Sequence, residues 1–352
     1  MRVVNKPWMG EQFEPGLVSV IVPTYNREIL IVDAMDSVWA QTYRPIELII
    51  VDDGSTDDTH KVVEEWGFEH KSDDGFHLRY FQQENTGASA ARNHGLIESR
   101  GEFIQFLDSD DIIHRERLRR VVDLFRSSSC EFIETGFEGF CSKCGEVYER
   151  HFGHTETDAI VLLLLGRLWA NTLRSALRRS LVVRIGPWNE DMSCFEDYEY
   201  MIRAIMLSKK SKAIHDILAS ARRGGGERVS DRLKTYEGRT VRIHCESLLR
   251  DKLIGTNNIS VEAKRFFALR IYGLGIRSNA AGWTELGRQC CAIADSIGVK
   301  LDSRGKLKRL ICRMGKCGGI AHESLYKLKN IVLGLDNTVK TRHECKQHVA
   351  KV

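Results

Sequence analysis

The stretch GEFIQFLDSDD, residues 101–111, joins an apolar run to a cluster of carboxylates. Residues 103–107 have the composition of a β-strand, and Asp108 and Asp110 follow it two residues apart. Alternate side chains of an extended segment point to the same side, so both carboxylates face one direction. Mg²⁺ and Mn²⁺ are commonly bound by one or two carboxylates together with substrate phosphates. The pair is therefore a candidate metal site, with capping of the next helix by Asp110 or Asp111 as the alternative.

Three earlier apolar runs end in polar clusters of the same kind. They are residues 18–22 before the cluster 23–26, residues 46–51 before 52–55, and residues 78–81 before 85–87. Helical periodicity lies between and after these runs, at residues 27–41, 57–66, 88–99 and 115–126. Strands that alternate with helices predict an α/β fold with a mostly parallel sheet flanked by helices. Ligands of such sheets bind beyond the carboxyl ends of the strands, where these clusters lie.

The composition is that of an ordinary globular protein. The chain has 352 residues, of which 42% are hydrophobic and 28% charged, which excludes collagen-like and disordered classes. No apolar run approaches the roughly 20 residues that a membrane-spanning helix needs. The N-terminal segment lacks the apolar core of a signal peptide, so we expect a cytoplasmic protein whose ten cysteines are thiols.

The net charge of +4 conceals two regions of opposite sign. From Lys234 onward there are 23 Lys and Arg against 10 Asp and Glu, whereas the preceding part has 29 against 38. Beyond residue 230 the periodicity is mostly helical. We therefore predict an N-terminal extension at 1–17, an α/β domain at 18–232 and a basic helical domain at 233–352.

Four stretches together resemble the family 2 glycosyltransferases. They are VSVIVPTYNRE (18–28), ELIIVDDGSTDDT (47–59), ENTGASAARNHGL (84–96) and GEFIQFLDSDD (101–111). The resemblance implies a GT-A nucleotide-sugar-binding fold, with 18–125 as the nucleotide-binding half and 126–232 as the acceptor half. It also implies inverting transfer of a sugar from a nucleotide diphosphate donor to an acceptor hydroxyl. Mn²⁺ or Mg²⁺ would be the cofactor, and the pathway would be polysaccharide or glycoconjugate biosynthesis.

The same resemblance implies roles for the residues around the fourth apolar run. Asp108 and Asp110 would hold the ribose and a metal-bound diphosphate, and Arg92 would lie near the nucleotide. An aspartate at position 109 would be one more candidate for the nucleotide-sugar site. The residue there is Ser109, so no equivalent is assigned at that position.

The nucleoside would be held by a further group of residues. By the resemblance these are Pro23, Thr24, Tyr25 and either Asp52 or Asp53. The residues alone leave a second interpretation for the two acidic positions, which is capping of the helix that follows them.

The resemblance also makes Asp197 the candidate catalytic base. It lies in FEDYEY (195–200), which opens an amphipathic helix. Inverting transfer needs a group that removes the proton from the acceptor hydroxyl as that oxygen attacks the anomeric carbon. A carboxylate within about 3 Å of the hydroxyl can do this. Without the upstream motifs, Glu196 and Asp197 would be interpreted as complementing the dipole at the start of that helix.

Arg222 and Arg223 precede three glycines at residues 224–226. Either arginine could add a cation near the departing diphosphate as a loop closes. The alternative is an exposed basic loop.

Cys141 and Cys144 form a C-x2-C pair, and His151 and His154 follow it. This pattern could hold a structural zinc ion. The two histidines are closer together than in the usual H-x3–5-H spacing. A plain hairpin turn between residues 131–136 and 146–148 is therefore the alternative.

The basic part of the chain contains an amphipathic stretch at residues 306–314. Its apolar positions, Leu307, Leu310, Ile311 and Met314, form one stripe with positive charge opposite. Such a helix could lie on an anionic membrane near a lipid-linked acceptor, or could pack on the catalytic domain. The expected partners are a nucleotide-diphosphate sugar and a glycan or lipid-linked acceptor, with peripheral contact at the inner face of the membrane. Nucleic acid is not expected, because no recognised module is present.

Two other functions remain open at this stage. A sugar-phosphate nucleotidyltransferase would need a glycine-rich phosphate loop after the first strand, where residues 23–26 read PTYN. An inert nucleotide-sugar-binding or scaffold protein would not need Asp108, Asp110 and Asp197 together.

Overall fold

The chain divides into two units. One consists of residues 1–157 and 170–225, and the other of residues 158–169 and 226–352. The computed structural model describes residues 8–10, 13–70, 75–153, 171–192, 194–223, 235–255 and 261–315. The predicted boundary at 232/233 lies outside the described residues.

The first unit begins with strands and helices in alternation. These are β1 (Glu14–Thr24), α1 (Ile31–Trp39), β2 (Ile46–Asp52), α2 (Thr59–Glu69), β3 (Phe76–Gln82), α3 (Ala88–Glu98) and β4 (Gly101–Phe106). The remainder comprises β5 (Ile112–Ile113), α4 (Arg117–Arg126), β6 (Phe132–Cys141), β7 (Val147–His151), β8 (Ser175–Arg178), α5 (Arg179–Ile185), α6 (Glu196–Leu207) and β9 (Ser211–Arg223).

These strands form one mixed sheet in the order β3-β2-β1-β4-β8-β6-β9-β5, with β7 paired to β6. Strands β1 to β4 pair with one another in parallel, which confirms the α/β prediction for the first half of the unit. Strand β8 then pairs antiparallel with both β4 and β6, and β5 pairs antiparallel with β9. The parallel pairing resumes only between β6 and β9.

The two central strands β1 and β2 are buried along almost their whole length. Val20 and Val22 of β1 are 0% exposed, as are Leu48 and Ile50 of β2. Continuous apolar runs of this kind are typical of parallel strands covered on both faces. Each such side chain contributes about 1.5–3 kcal/mol when it leaves water. This burial fixes the register, in which Thr24 lies opposite Asp52 and Asp52 lies opposite Gln82.

The predicted hairpin of residues 131–136 with 146–148 is wrong in its pairing. Strand β7 pairs with the end of β6, from Phe137 to Phe140, rather than with its beginning. The first residues of β6 pair instead with β8 on one side and β9 on the other. A strand that is buried from Phe132 to Phe137 needs partners on both edges, and a single hairpin supplies only one.

The second unit is helical in the part that the structure describes. Its helices are α7 (Tyr236–Gly255), α8 (Val261–Ala280), α9 (Thr284–Ser296) and α10 (Ser303–Arg313). The side chain of Asn279 in α8 donates from Nδ2 to the carbonyl of Cys312 in α10 at 2.7 Å. None of the described helices is long and apolar enough to cross a membrane.

Three buried ionisable side chains lie close together: Arg117 of α4, Glu134 of β6 and Arg174, which directly precedes β8. Arg174 pairs with Glu134, and Arg117 donates to Gln105 and Thr135. Burial raises the pKa of Glu134 to about 7, although Arg174 acts in the opposite direction. Burial lowers the pKa of Arg117 to about 9. These charges are 3% exposed or less, so each depends on its partners rather than on water.

We expect Arg174→Met to destabilise the first unit strongly, because it leaves Glu134 buried without its cation. The expected loss in the free energy of unfolding at pH 8 is about 3–5 kcal/mol. The loss is smaller at pH 5, because Glu134 with its raised pKa is then protonated and carries no charge. Urea unfolding at both pH values measures the difference.

The double variant Arg174→Met/Glu134→Gln removes both charges and should recover part of that loss at pH 8. Arg119→Met is the matched control, since Arg119 pairs with Glu116 on the exposed surface. Its loss should change the free energy of unfolding little at either pH. An equal loss for Arg174→Met at pH 5 and pH 8 would contradict this account of Glu134.

Candidate active site

The polar residues that follow the parallel strands lie at one edge of the sheet. Thr24, Asp52 and Gln82 are register partners at the ends of β1, β2 and β3. Strand β4 runs parallel to β1, and the backbone N–H of Leu107 donates to the carbonyl of Ile21 at 3.0 Å. The turn that carries Asp108 therefore leaves the sheet at the same edge.

Both carboxylate oxygens of Asp52 accept hydrogen bonds from nearby residues of the protein. Asp52 is 0% exposed, and its Oδ1 accepts from the backbone N–H of Ser55 at 2.8 Å. Its Oδ2 accepts from the hydroxyl of Tyr80 at 2.6 Å, and burial together with this bond raises the pKa of Tyr80. Asp52 thus shapes the turn after β2 but does not cap α2, which begins at Thr59 after Asp58, so the capping alternative is wrong for this residue.

Asp53 fixes the loop that leads into α3. Its Oδ1 accepts from the side-chain amide of Gln83 at 2.8 Å and from the backbone N–H of Thr86 at 2.9 Å. Its Oδ2 accepts from the backbone N–H of Gly87 at 2.7 Å. Gly54 permits this arrangement, because it has φ +80° and a Cβ there would come within 3.1 Å of Asn85 N.

The loop after β1 exposes an aromatic ring, and the last residue of β1 carries a buried hydroxyl. Tyr25 is 45% exposed, and the buried hydroxyl of Thr24 makes no hydrogen bond within the described part of the chain. The loop itself is fixed to the turn after β2, because Asn26 N donates to Ser55 Oγ at 2.9 Å and Thr56 N donates to Asn26 Oδ1 at 2.8 Å. An exposed ring and a buried unpaired hydroxyl on a fixed loop suit a nucleoside.

Arg92 in α3 connects two parts of the site. Its Nη2 pairs with Asp108 Oδ1 at 2.9 Å, and its Nη1 lies 3.5 Å from Glu196 Oε1. The side chain is 4% exposed. Burial acts to lower the pKa of Arg92, but the charges of Asp108 and Glu196 outweigh it and raise that pKa. Glu196 was not predicted, and only its place beside Asp197 in the sequence could have indicated it.

Asp108 and Asp110 differ in their surroundings. The side chain of Asp108 is 40% exposed, although Arg92 contacts one of its oxygens. The backbone carbonyl of Asp110 accepts from Arg222 Nε at 3.1 Å, and the neighbouring Asp111 accepts from the backbone N–H of Arg222 at 2.9 Å. The turn is therefore tied to the end of β9 while Asp108 faces the site.

Position 109, between these two residues, supplies no carboxylate. It holds Ser109, which is buried in the turn that the backbone N–H of Asp111 closes on the carbonyl of Asp108 at 3.0 Å. A small serine suits the buried position, because a further carboxylate there would have to lose its water.

A divalent cation fits this turn only together with a substrate. No group of three or more His, Cys, Asp or Glu side chains within the described ranges could hold a metal ion by itself. Mg²⁺ and Mn²⁺ sites that include substrate phosphates need only one or two carboxylates. The accessible carboxylate of Asp108, with Asp110 two residues on, meets that smaller requirement.

Arg222 is not the side chain of an exposed loop. It is 14% exposed, and its Nη2 pairs with Asp33 Oδ2 at 2.5 Å. Its guanidinium also lies over the ring of Phe140, with 4.9 Å between Cζ and the ring centroid. These contacts give Arg222 a structural task beside the Asp110 turn, and the exposed-loop alternative is wrong for this residue.

Asp197 stands in the first turn of α6. Phe195 precedes it with φ 67°, and the backbone N–H of Tyr198 donates to Asp197 Oδ1 at 2.7 Å. Burial raises the pKa of Asp197 to about 7, and the charges of Glu196 and Asp108 act in the same direction. The charge of Arg92 lowers it. A carboxylate with a pKa near 7 is well matched to proton transfer at neutral pH.

The segment before α6 is anchored by Asn93, which was also missed. Its Oδ1 accepts from the backbone N–H of Trp188 at 2.8 Å, and its Nδ2 donates to the carbonyl of Trp188 at 3.0 Å. The same Nδ2 donates to Glu190 Oε1 at 2.6 Å. Asn93 directly follows Arg92, so one turn of α3 contacts both the Asp108 turn and the Trp188 segment.

The possible zinc site stays a prediction. Cys141 is buried at the end of β6, whereas Cys144 is exposed in the turn that follows. His151 stacks on Phe137 with 4.7 Å between ring centroids, and its Nε2 lies 3.6 Å from Glu149 Oε2. His154 lies outside the described residues.

Comparison with known proteins identifies one domain of the chain. Residues 19–156 match the glycosyl transferase family 2 model, so this segment is a family 2 glycosyltransferase domain. TuaG of Bacillus subtilis, which is named for teichuronic acid biosynthesis, is 40% identical over 121 residues. That match covers 34% of this chain and 46% of TuaG. A match to the glycosyltransferase GlyA of Streptococcus pneumoniae is 29% identical and covers 49% of this chain and 27% of GlyA. The chain thus spans less than half the length of these relatives.

The fold is shared with a solved structure over most of the chain. TarS residues 1–349 of S. aureus, in complex with UDP-GlcNAc, align with a TM-score of 0.66 and 20% sequence identity. The alignment covers 86% of this chain and 88% of TarS 1–349. The predicted GT-A fold with a helical C-terminal region is therefore confirmed.

We expect Asp197→Asn to stabilise the protein more at pH 8 than at pH 5. An aspartate in the unfolded chain ionises near pH 4, but the folded protein holds Asp197 protonated up to about pH 7. Wild-type stability therefore falls as the pH rises between those values, while an asparagine carries no such cost. The gain at pH 8 should be roughly 1–3 kcal/mol, measured by urea unfolding of both proteins. The same gain at both pH values would show that the folded protein does not perturb Asp197.

Proposed function

We propose that this chain is a metal-dependent, inverting glycosyltransferase that moves a sugar from a nucleotide-diphosphate donor to an acceptor hydroxyl. One observation carries the proposal. Arg92 pairs with Asp108, at the end of β4, and with Glu196, next to Asp197 in α6. Asp108, the candidate ligand of the sugar donor, and Asp197, the candidate base, therefore both lie near the buried Arg92 cation. A transfer between two bound substrates requires such proximity.

The donor side of the site would be formed by the loops after β1, β2 and β4. Pro23, Thr24 and Tyr25 would hold the nucleoside against the turn that Asp52 and Asp53 build. Asp108 and Asp110 would hold a Mn²⁺ or Mg²⁺ ion, which supplies positive charge to the diphosphate when bound. Arg92 keeps the Asp108 carboxylate oriented toward that group.

The acceptor side would be formed by the start of α6. Asp197, in its ionised form, takes the proton from the acceptor hydroxyl. The hydroxyl oxygen then forms the new bond to the anomeric carbon, while the bond from that carbon to the diphosphate oxygen breaks. The nucleoside diphosphate leaves with that electron pair, and attack from the opposite face inverts the anomeric configuration. A group with a pKa near 7 both accepts this proton and is available in ionised form at neutral pH.

The relatives guide the choice of substrates. TarS has been solved with UDP-GlcNAc and with UDP, so uridine-diphosphate sugars are the first donors to test. TuaG is named for teichuronic acid biosynthesis, which supports a glycan or lipid-linked acceptor and a role in polysaccharide biosynthesis.

The test is turnover of UDP-, GDP- and dTDP-sugars in the presence of Mn²⁺. Wild-type protein should transfer or hydrolyse at least one donor, and Asp197→Asn should lower kcat by roughly 10²–10⁴-fold while donor binding persists. Asp191→Asn, which removes an exposed carboxylate shortly before the same helix, is the matched control and should keep wild-type turnover. Full activity of Asp197→Asn would reject this base, and failure of every donor in the panel would count against the proposed function.

We further propose peripheral contact between α10 and an anionic membrane at the inner face of the cell membrane. Of the four residues of the predicted stripe, Leu307, Leu310 and Met314 are each more than half exposed, whereas Ile311 is partly buried. The helix, SRGKLKRLICR, carries five basic and no acidic residues. Exposed apolar side chains beside cationic ones suit a surface of anionic lipid headgroups.

Sedimentation with vesicles tests this contact. Vesicles that contain phosphatidylglycerol should bind the protein, and pure phosphatidylcholine vesicles should not, because both charge and apolar burial contribute. Leu307→Glu/Leu310→Glu should weaken binding by roughly tenfold or more. Phe68→Glu, at a 73% exposed position of α2, is the control for adding charge elsewhere. Equal binding of the helix variant and the control would argue against α10 as the contact.

A further inference from the structure

Trp188 lies at the centre of the contacts that join α3, β4 and α6. Its indole stacks on the ring of Tyr200, with 3.9 Å between centroids and 2° between planes. The guanidinium of Arg92 lies 4.7 Å from the centroid of the indole, and the ring of Phe106 meets it edge-on at 5.0 Å. Trp188 is 2% exposed, so these neighbours enclose it.

The backbone of Trp188 is fixed as firmly as its ring. Asn93 accepts from its N–H and donates to its carbonyl, at 2.8 and 3.0 Å. The segment that precedes it is held as well, because Arg203 of α6 donates to the carbonyls of Ile185 and Pro187 at 2.7 and 2.9 Å. Movement of the Trp188 segment along α3 or α6 would therefore break its backbone hydrogen bonds to Asn93 and Arg203.

Each group that touches the indole is close to a residue of the proposed reaction. Tyr200 is three residues after Asp197 in α6, so the two side chains lie on neighbouring positions of one helix face. Phe106 ends β4 two residues before Asp108. Arg92 itself contacts Asp108 and Glu196. The indole thus packs against both the helix that carries the base and the strand that precedes the donor carboxylate, and the rings of Phe106 and Tyr200 also meet each other edge-on at 5.9 Å.

We propose that Trp188 is a positioning residue that sets the distance between Asp197 and the donor held at Asp108. The inference rests on the proposed function. The indole nitrogen and the hydroxyl of Tyr200 make no hydrogen bond within the described ranges, so ring packing and the guanidinium groups of Arg92 and Arg203 over the two rings hold the stack. Its thickness and area then determine how closely α6 approaches α3. A displacement of about 1 Å between reacting groups can lower a rate by roughly 10²-fold.

The experiment is a double-mutant cycle between Trp188 and Asp197. Trp188→Leu should lower kcat by roughly 10–100-fold while the affinity for the nucleoside diphosphate, measured by calorimetry, changes less than about twofold. In the Asp197→Asn background the same substitution should lower kcat by less than about twofold, because the carboxylate that Trp188 positions has already been removed. Single turnovers with enzyme in excess give the slow rates of these variants.

Trp188→Phe provides the conservative rescue. A phenyl ring keeps an aromatic face for Tyr200 and Arg92 but is smaller, so kcat should lie between those of wild type and Trp188→Leu. If Trp188→Leu does not fold, Trp188→Phe enters the cycle in its place. Trp39→Leu is the matched control: Trp39 packs against Phe76 at 4.9 Å, so its loss should lower stability with the same kcat in folded protein.

Two results would overturn the role of Trp188. One is an equal fold-loss of kcat for Trp188→Leu in the wild-type and Asp197→Asn backgrounds, which means that the residue does not act through Asp197. The other is a fall in nucleotide affinity as large as the fall in kcat. Failure of the proposed function looks different, since wild-type protein would then turn over no donor or Asp197→Asn would keep full activity.

Discussion

A buried positive charge organises the candidate site. The guanidinium of Arg92 is almost completely removed from water, and an uncompensated cation in that position is costly. Asp108 and Glu196 compensate it from two elements that are distant in the sequence. Because an unpaired buried charge is costly, the requirement for charge balance holds the end of β4 and the start of α6 together. The face of Trp188 beneath the same guanidinium adds a steric limit to this electrostatic one.

The carboxylates of the first unit serve two different purposes. Asp52 and Asp53 accept hydrogen bonds from the turns around them and are 0% and 5% exposed. The side chain of Asp108 is 40% exposed, although Arg92 contacts it. Much of the acidity of the stretch at residues 47–59 therefore maintains the shape of the site, while Asp108 remains accessible. Acidic residues at strand ends are consequently a better guide to where a site lies than to which residues touch the ligand.

A raised carboxylate pKa accompanies two different roles in this protein, and the surroundings of the carboxylate distinguish them. Glu134 and Asp197 both have a pKa of about 7, chiefly because of burial. Glu134 is 3% exposed and pairs with Arg174 inside the sheet, where it serves packing. Asp197 keeps some exposure to solvent and has the charges of Glu196 and Asp108 close by. Perturbed ionisation indicates function only where a substrate can reach the group.

The sequence by itself determined the parallel half of the first unit's sheet and the position of the candidate site. Apolar runs that end in polar clusters specify buried parallel strands, and parallel strands place those clusters at one edge for geometric reasons. Only the tertiary structure decided that β8 inserts between β4 and β6 and that Arg92 pairs with Glu196. It also decided that Asp52 and Arg222 contact neighbouring protein groups. The same holds for the stripe at α10, of which three of the four residues are exposed. Local periodicity records whether a residue faces an interior, but it does not record which distant segment supplies its partner. Hydrogen bonds and charge pairs between segments far apart in the chain depend on that partner, and therefore appear only in the folded protein.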